Sequence, residues 1–354
     1  MKLPAKNALT VALALLAAGT FSFARPDRGY HLLQTYKFAA APGSTMEYTM
    51  EYFDYVTVDP VARRVYLSRG TAVEVMNADT GALVGYIPGF KRQHGVALAP
   101  ELNRGFISDG ELARVTIFDL KTLKTLGQVK ADPDTDCVVY DPATKRVFSM
   151  NGDSSSSTVI DAKTGTVIKT IALGGSPEFA VADGKGMIYA NLSDKNQVAA
   201  IDARTLEVKS KWSTAPSGGS TALAIDREHR RLFSSGRNPQ LLVVMDADSG
   251  KIIQSFPISA GTDAAAYDPD TKTIFVSTFT GDINVFHQDS PDQYSAVDTI
   301  KSQLGSKTMG LDTKTHDLFL DTADFAPAGA PTTEHPRPRP RAILGTFRVL
   351  VYGP

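Results

Sequence analysis

One unit of about 40 residues recurs along this chain, and that repeat constrains the fold more than any other feature. In its clearest copy, two short strands rich in β-branched and aromatic residues flank a turn at Asp141-Pro142. A third strand, a hairpin turn over Asp161 to Gly165 and a fourth strand follow. Each unit therefore predicts one four-stranded antiparallel sheet.

The first turn of the unit appears seven times, at intervals of 40, 42, 42, 43, 42 and 44 residues. The seven copies begin at Asp59, Ala99, Asp141, Asp183, Asp226, Asp268 and Asp312. An aromatic residue follows every turn within the second strand. Seven four-stranded repeats of this length predict a seven-bladed β-propeller, an all-β fold.

The last repeat lacks a fourth strand, while the segment Tyr30 to Phe38 precedes the first repeat and belongs to none. We expect this N-terminal strand to pair with the C-terminal strand Phe347 to Tyr352 and close the ring, which removes an exposed sheet edge. The domain would then span residues 25–354 as a single unit.

The first 24 residues are typical of a secretory signal peptide. Lys2 and Lys6 precede an apolar stretch from Thr10 to Gly19, and Ser22-Phe23-Ala24 fits a small-residue cleavage site. An uncleaved anchor is the alternative. Cys137 is the only cysteine, so no intrachain disulfide can form, which suits a bacterial periplasm or cell surface.

The charge balance argues against a nucleic-acid partner. The chain has 37 basic and 38 acidic residues, a formal net charge of −1, so it lacks a basic footprint. Apart from the N-terminal stretch no apolar segment is long enough to span a bilayer. We therefore expect a monomer without a membrane span, whose partner is a small molecule or a protein.

The residue five positions before the first turn of each repeat is unusually often polar or charged. The seven residues there are Asp54, His94, Asp136, Glu178, Thr221, Asp263 and Lys307. First strands are innermost in a propeller, so these side chains should form a ring at one mouth of the central channel. They could be solvated strand ends joined by structural ion pairs, such as Lys307 with Asp263 or Asp54. They could instead form a ligand-binding site.

The ring also suggests a divalent cation. His94, Asp136, Glu178 and Asp263 offer the oxygen ligands that Ca²⁺ prefers or a His-plus-carboxylate set for Zn²⁺. Loops after the second strands should lie on the same face, and each of their polar residues reads individually as a solvated loop residue. These secondary candidates are Arg69, Asp109, Asn151, Asn191 and Arg237.

A Pro-rich insertion over residues 325–345 interrupts the seventh repeat. A loop of this length in a compact domain usually has a function or is disordered. Its alternating prolines predict a stiff extended segment. We expect Pro327 to Arg341 to cover the ring, with Glu334 and His335 able to reach the mouth.

Short motifs after the second strands resemble degenerate YVTN repeats. They read Tyr66-Leu-Ser-Arg69, Phe106-Ile-Ser-Asp109, Phe148-Ser-Met-Asn151 and Phe275-Val-Ser-Thr278. Together with the Asp-x-x-Thr-Gly hairpin turns, they make residues 30–354 similar to the YVTN-repeat, YncE-like bacterial propellers. The resemblance implies a seven-bladed exported protein, and related propellers include lactonases and domains of redox enzymes.

These features favour a non-enzymatic exported propeller that binds a small ligand, a metal ion or a protein partner at the channel mouth. Two alternatives stay open: a metal-assisted hydrolase of the lactonase type, and an interaction scaffold for a periplasmic redox enzyme. No Gly-x-Ser-x-Gly, His-Glu-x-x-His, Walker or Cys-x-x-Cys motif is present, so no catalytic residue is predicted.

Overall fold

The computed structural model describes residues 29–43, 52–330, 338 and 340–354. Within these ranges the chain forms a seven-bladed β-propeller with four antiparallel strands per blade. The predicted fold is therefore confirmed. The predicted signal peptide lies outside the described residues, as do residues 331–337 and 339 of the Pro-rich insertion, which include Glu334 and His335.

Six blades are continuous in sequence, and in each the strand order follows the chain. Blade 1 contains β2 (Val56–Asp59), β3 (Arg64–Ser68), β4 (Ala72–Asn77) and β5 (Leu83–Pro88). Blade 2 contains β6 (Gln93–Ala99), β7 (Arg104–Asp109), β8 (Arg114–Asp119) and β9 (Thr125–Lys130), with a short 3-10 helix at Pro100–Leu102. Blade 3 contains β10 (Thr135–Asp141), β11 (Arg146–Asn151), β12 (Ser156–Asp161) and β13 (Val167–Ala172).

The second half repeats this arrangement. Blade 4 contains β14 (Pro177–Ala182), β15 (Met187–Leu192), β16 (Gln197–Asp202) and β17 (Glu207–Ser213). Blade 5 contains β18 (Ser220–Asp226), β19 (Arg231–Gly236), β20 (Leu241–Asp246) and β21 (Ile252–Pro257). Blade 6 contains β22 (Thr262–Asp268), β23 (Thr273–Thr278), β24 (Asp282–Ser290) and β25 (Gln293–Lys301).

Blade 7 joins the two ends of the chain. Its inner strands are β26 (Met309–Leu311), β27 (Leu318–Thr322) and β30 (Arg348–Gly353), and its outer strand is β1 (His31–Lys37). The β1–β30 ladder runs from His31 opposite Gly353 to Lys37 opposite Arg348. The predicted closure by the N-terminal strand is thus confirmed.

The blades hold together through apolar side chains packed between neighbouring sheets. The aromatic residue of every second strand is almost completely buried. Phe148 of blade 3, for example, packs in one cluster with Ala180, Ile188 and Ala190 of blade 4. Burial of such side chains supplies about 25 cal/mol per Å² of apolar surface, which lets the ring close without disulfides.

The Asp-containing hairpin turns are structural. In the turn after β12, the Asp161 carboxylate accepts hydrogen bonds from the backbone N–H groups of Lys163 at 3.0 Å and Thr164 at 2.7 Å. This local bonding is why Asp recurs at the position. In the ranges described here, no helix is both long enough and apolar enough to cross a membrane.

The insertion leaves from a two-stranded stem formed by β28 (Phe325–Ala326) and β29 (Arg341–Ala342). The Phe325 ring lies 6.4 Å from that of Phe53 and 5.5 Å from that of Phe279, centroid to centroid. These two residues flank the channel mouth, so the stem stands at its rim. The expectation that the insertion covers the ring stays a prediction.

Candidate functional site

The predicted ring forms at one end of the channel because each member precedes or begins an innermost strand. Five of the seven residues are linked by direct contacts between charged groups. The Lys307 ammonium binds the carboxylate of Asp263 and lies 3.4 Å from Asp54 Oδ1. His94 Nδ1 lies 2.7 Å from Asp54 Oδ2 and 3.4 Å from Asp136 Oδ1.

One of the secondary candidates extends this series. The Arg237 guanidinium, from the loop after β19, binds the Asp263 carboxylate and donates from Nε to the Thr262 carbonyl at 3.0 Å. An unbroken charge chain therefore runs through the mouth. Its members, in spatial order, are Arg237, Asp263, Lys307, Asp54, His94 and Asp136.

Glu178 is the ring carboxylate that the charge chain leaves out. Among the described residues it makes no side-chain hydrogen bond or ion pair, although it is partly buried at the start of β14. Its neighbour in the ring, Thr221, is neutral and donates to the Thr262 carbonyl at 3.0 Å. Blades 4 and 5 therefore form a gap in the charge chain, with Glu178 on one side of it.

The pKa values of the ring carboxylates diverge according to their partners. Burial, reinforced by the charges of Asp136 and Asp263, raises the pKa of Glu178 to about 8. Burial, opposed by His94 but reinforced by Asp54, raises the pKa of Asp136 to about 6. Burial would also raise the pKa of Asp54, but Lys307 and His94 outweigh it and hold that pKa below its usual value.

The pKa values of the two basic ring members, Lys307 and His94, shift in the direction opposite to that which burial alone would cause. Burial alone would lower the pKa of Lys307, but Asp263 and Asp54 outweigh it and raise that pKa. For His94, Asp136 and Asp54 likewise outweigh burial and raise the pKa of the imidazole. Cationic forms of both side chains are thus stabilised by the ring.

A second set of residues holds the ring in place from behind. In most blades the residue two positions after the buried aromatic residue of the second strand is polar. Its side chain donates a hydrogen bond to the backbone at or just before the first strand of the next blade. Ser68 donates to the His94 carbonyl, Ser108 to the Asp136 carbonyl, and Ser277 to the Lys307 carbonyl at 2.6 Å. Asn191 donates to the Ala222 carbonyl at 2.9 Å. These interblade bonds fix the backbone that carries the ring.

Blade 7 has a carboxyl group at this position. Asp321 is fully buried, accepts a hydrogen bond from Thr308 Oγ1 at 2.6 Å, and leaves Oδ2 without a partner in the described residues. Burial, opposed by Thr308 and Lys307, raises the pKa of Asp321 to about 8. Burial thus favours the protonated form of Asp321.

The remaining secondary candidates do not reach the mouth. Asp109, Asn151 and Asn191 end or nearly end second strands and are fully buried, unlike the solvated loop residues that we expected. Asn151, for example, bonds Thr135, Ser156 and Thr158 of its own blade. Arg69 is buried against Glu74 with its guanidinium carbon 3.7 Å from the centroid of the Phe347 ring.

The metal-ligand set also differs from the predicted one. Ligand atoms of Asp54, His94 and Asp136 lie within 4.8 Å of one another. Asp263 is instead bound by Lys307 and Arg237, and Glu178 is not part of this group. The Asp54–His94–Asp136 group offers one nitrogen and two carboxylate ligands, which is closer to a Zn²⁺ set than to a Ca²⁺ set.

Sequence reasoning missed two residues beside the ring. The Tyr52 hydroxyl lies 3.0 Å from His94 Nδ1 and 3.4 Å from Asp54 Oδ2. Arg92 lies beside Tyr52 and Asp136; burial alone would lower the pKa of Arg92, but hydrogen bonding to Tyr52 and the nearby carboxylates outweigh it and raise that pKa. Both stand two residues before a ring member, so the ring register shifted by two would have found them.

Two cavities adjoin the ring. One, of about 300 Å³, is lined by Arg237, Gly261, Phe279 and Lys307. The other, of about 160 Å³, lies within the channel, where first-strand residues such as Tyr55 and Phe179 line it. Cys137 also lines this inner cavity and is buried, as expected for a small apolar side chain.

Comparison with known proteins supports the architecture alone. No protein-family model matches the sequence, and no curated protein matches it. Among solved structures, hydrazine synthase of Kuenenia stuttgartiensis superposes with a TM-score of 0.68 at 13% identity, covering 79% of this chain and 95% of that one.

Two further structures match over more of the chain. A chain of the mitotic checkpoint complex gives a TM-score of 0.70 at 14% identity and covers 98% of this chain and 99% of that one. The β-propeller domain of Cps50 (Swd1) from Myceliophteria thermophila gives 0.70 at 11% identity, covering 92% and 100%. At identities this low, the superpositions show a shared fold and carry no information about function.

Proposed function

We propose that this protein is a non-enzymatic binding protein whose ligand sits at the channel mouth, with Glu178 contacting a positively charged group of that ligand. One observation carries the proposal: Glu178 is the partly buried acid that no described residue pairs, whereas Asp54, Asp136 and Asp263 each lie in an ion pair. Without a partner, burial favours the protonated form of Glu178, and a cationic group on a ligand would stabilise the ionised form instead.

The test is a ligand screen in which Glu178 decides the outcome. Thermal-shift measurements against a library of metabolites should find compounds that stabilise the wild-type protein but not the Glu178→Gln variant. Glu111→Gln is the matched control, because Glu111 is an exposed carboxylate outside the ring. A screen in which every hit stabilises Glu178→Gln equally would contradict the proposal.

A metal-assisted hydrolase of the lactonase type is the second candidate. The convergence of Asp54, His94 and Asp136 supports it, because these residues could hold a divalent cation that acts as a Lewis acid. Elemental analysis of the purified protein, its melting with and without EDTA, and a lactone hydrolysis screen test this candidate. Metal-free protein with no response to EDTA would eliminate it.

We further propose that the chain is exported to the periplasm or cell surface and belongs with the YVTN-type propellers. The N-terminal sequence and the degenerate repeats support this proposal. Expression of the tagged full-length chain in a bacterium, followed by fractionation, should place a shortened form outside the cytoplasm. A full-length cytoplasmic product would contradict export.

A protein-interaction role is the third candidate, since propellers commonly serve as scaffolds and one structural neighbour belongs to the mitotic checkpoint complex. A periplasmic redox enzyme would be one such partner. Cross-linking in the native host followed by mass spectrometry tests it, and recovery of the uncross-linked monomer alone would count against a stable partner.

A further inference from the structure

We propose that the ligand of the channel mouth is a zwitterion: a small molecule with an amine and a carboxylate, such as an α-amino acid with an apolar side chain. This inference rests on the proposed function, because it names the ligand class for the same site. It follows from the positions of Glu178 and Arg237 on the two sides of the gap in the charge chain, and from the cavity beside Arg237.

The gap in the charge chain has an acidic side chain on one side and a basic side chain on the other. Glu178 of blade 4 stands on one side, and Arg237, from the loop that follows β19 in blade 5, stands on the other. No ion pair joins them, since Arg237 is bound to Asp263. A molecule that places an amine against Glu178 and a carboxylate against Arg237 would complete the ring.

Arg237 retains capacity for a carboxylate. Its Nε and Nη2 atoms donate to Thr262 and Asp263, whereas Nη1 donates to no described residue. The side chain is 39% exposed, so a ligand can approach it. A guanidinium has five N–H donors in a planar fork, which allows it to bind a second carboxylate without releasing the first.

The adjoining cavity supplies an apolar wall. Phe279 lines it together with Arg237 and Lys307, and the Phe325 ring packs edge-on against Phe279 at 5.5 Å. Gly261 has a φ of +79°, and a Cβ atom at this position would approach Phe279 Cβ to 2.8 Å, so glycine allows this packing. At about 300 Å³ the cavity suits a small molecule, at the lower end of the range of roughly 300–1,000 Å³ for ligand sites.

Matched probes separate the two charges of the ligand. Phenylalanine, leucine and methionine would each be titrated beside the analogue that lacks the carboxylate and the analogue that lacks the amine. For phenylalanine these analogues are phenethylamine and 3-phenylpropanoate. We expect at least one amino acid to bind, and each of its analogues to bind roughly 10- to 100-fold more weakly, since each loses one charge-assisted interaction.

Two variants then assign each charge to a residue. In Glu178→Gln, the amino acid and its amine-free analogue should bind with similar affinity. In Arg237→Gln, the amino acid and its carboxylate-free analogue should do so. Glu111→Gln and Arg204→Gln are the matched surface controls and should retain the wild-type ranking.

The outcomes distinguish this inference from the proposed function. If the carboxylate-free amines bind wild-type protein as tightly as the amino acids, the proposal of a zwitterionic ligand is wrong. The proposal that the channel mouth binds a cationic group is then retained. If no amino acid binds but other library compounds bind through Glu178, the ligand class alone is overturned. If nothing in the library or the panel binds, both proposals fail. Because these comparisons use the wild-type protein, they test the ligand class even if a variant does not fold.

Discussion

Ser277 of blade 6 donates a hydrogen bond to the backbone carbonyl of Lys307 in blade 7 at 2.6 Å. The bond connects a buried second strand to the backbone of a ring residue, and equivalent serines do the same for His94 and Asp136. The charged mouth is therefore held by hydrogen bonds between blades as well as by its own ion pairs.

Replacing this serine should loosen the mouth as well as weaken the fold. We expect Ser277→Ala to lose about 1 kcal/mol in the free energy of unfolding, because the Lys307 carbonyl then lacks a buried partner. Urea denaturation measures this loss. Ser255→Ala, at an exposed position of β21, is the control, and equal stability of the two variants would contradict the role of the interblade bond.

The strand β1 should be essential for a stable ring. Deleting residues 29–40 leaves β30 unpaired on one side, and we expect the melting temperature to fall by about 10 °C or more, or the protein to aggregate. The control is the chain that begins at residue 29, which retains β1. Identical melting curves for the two chains would show that closure by β1 contributes nothing.

The stability of the protein should depend on pH through Glu178. Its pKa is about 8 in the folded protein and 4.5 in a model peptide. Between these values the folded state keeps a proton that the unfolded state releases, so stability falls as pH rises from about 4.5 to 8. Glu178→Gln removes this loss, and its melting temperature relative to wild type should be highest near pH 8.

The pKa values of Asp136 and Asp321 are also raised. The stability of both the wild-type protein and the Glu178→Gln variant should therefore still fall somewhat as pH rises. The difference between wild type and variant isolates Glu178. A difference that does not change between pH 5 and pH 8 would mean that Glu178 is ionised in the folded protein throughout that range.

Divalent cations provide a separate test of the ring. If Ca²⁺ or Zn²⁺ binds there, it should raise the melting temperature of wild-type protein, and the double variant Asp136→Asn with Glu178→Gln should lose that rise. Both replacements keep the side-chain shape and remove the charge. An undiminished rise in the double variant would place the cation elsewhere.

The sequence predicted the architecture because the repeat marks every blade. Landmarks such as Asp141-Pro142 and the following Phe148 recur at nearly constant spacing, so strand order and closure could be deduced. The ring followed from the same register, since the first strand of every blade lies innermost. The location of residues that occupy the same repeat position in every blade was therefore predictable.

The contacts within the ring were not predictable in the same way. Which partner Lys307 selects depends on side-chain conformations that no spacing encodes, and it binds Asp263 while also reaching Asp54. Asp109 and Asn151 were expected in surface loops, but the second strands extend to include them, and their polar groups bond neighbouring strands. Tyr52 lies outside the repeat register that located the ring, although its hydroxyl contacts His94.

The pairing of β1 with β30 also sets an order in time. During synthesis β1 is made before any complete blade, and its partner β30 follows all the strands of the other six blades. The first six blades can form as they emerge, whereas the ring can close only after β30 has appeared. Until then β1 and β27 both present unpaired edges, so a nascent chain or one that has lost its last strand is the form that chaperones and proteases would recognise.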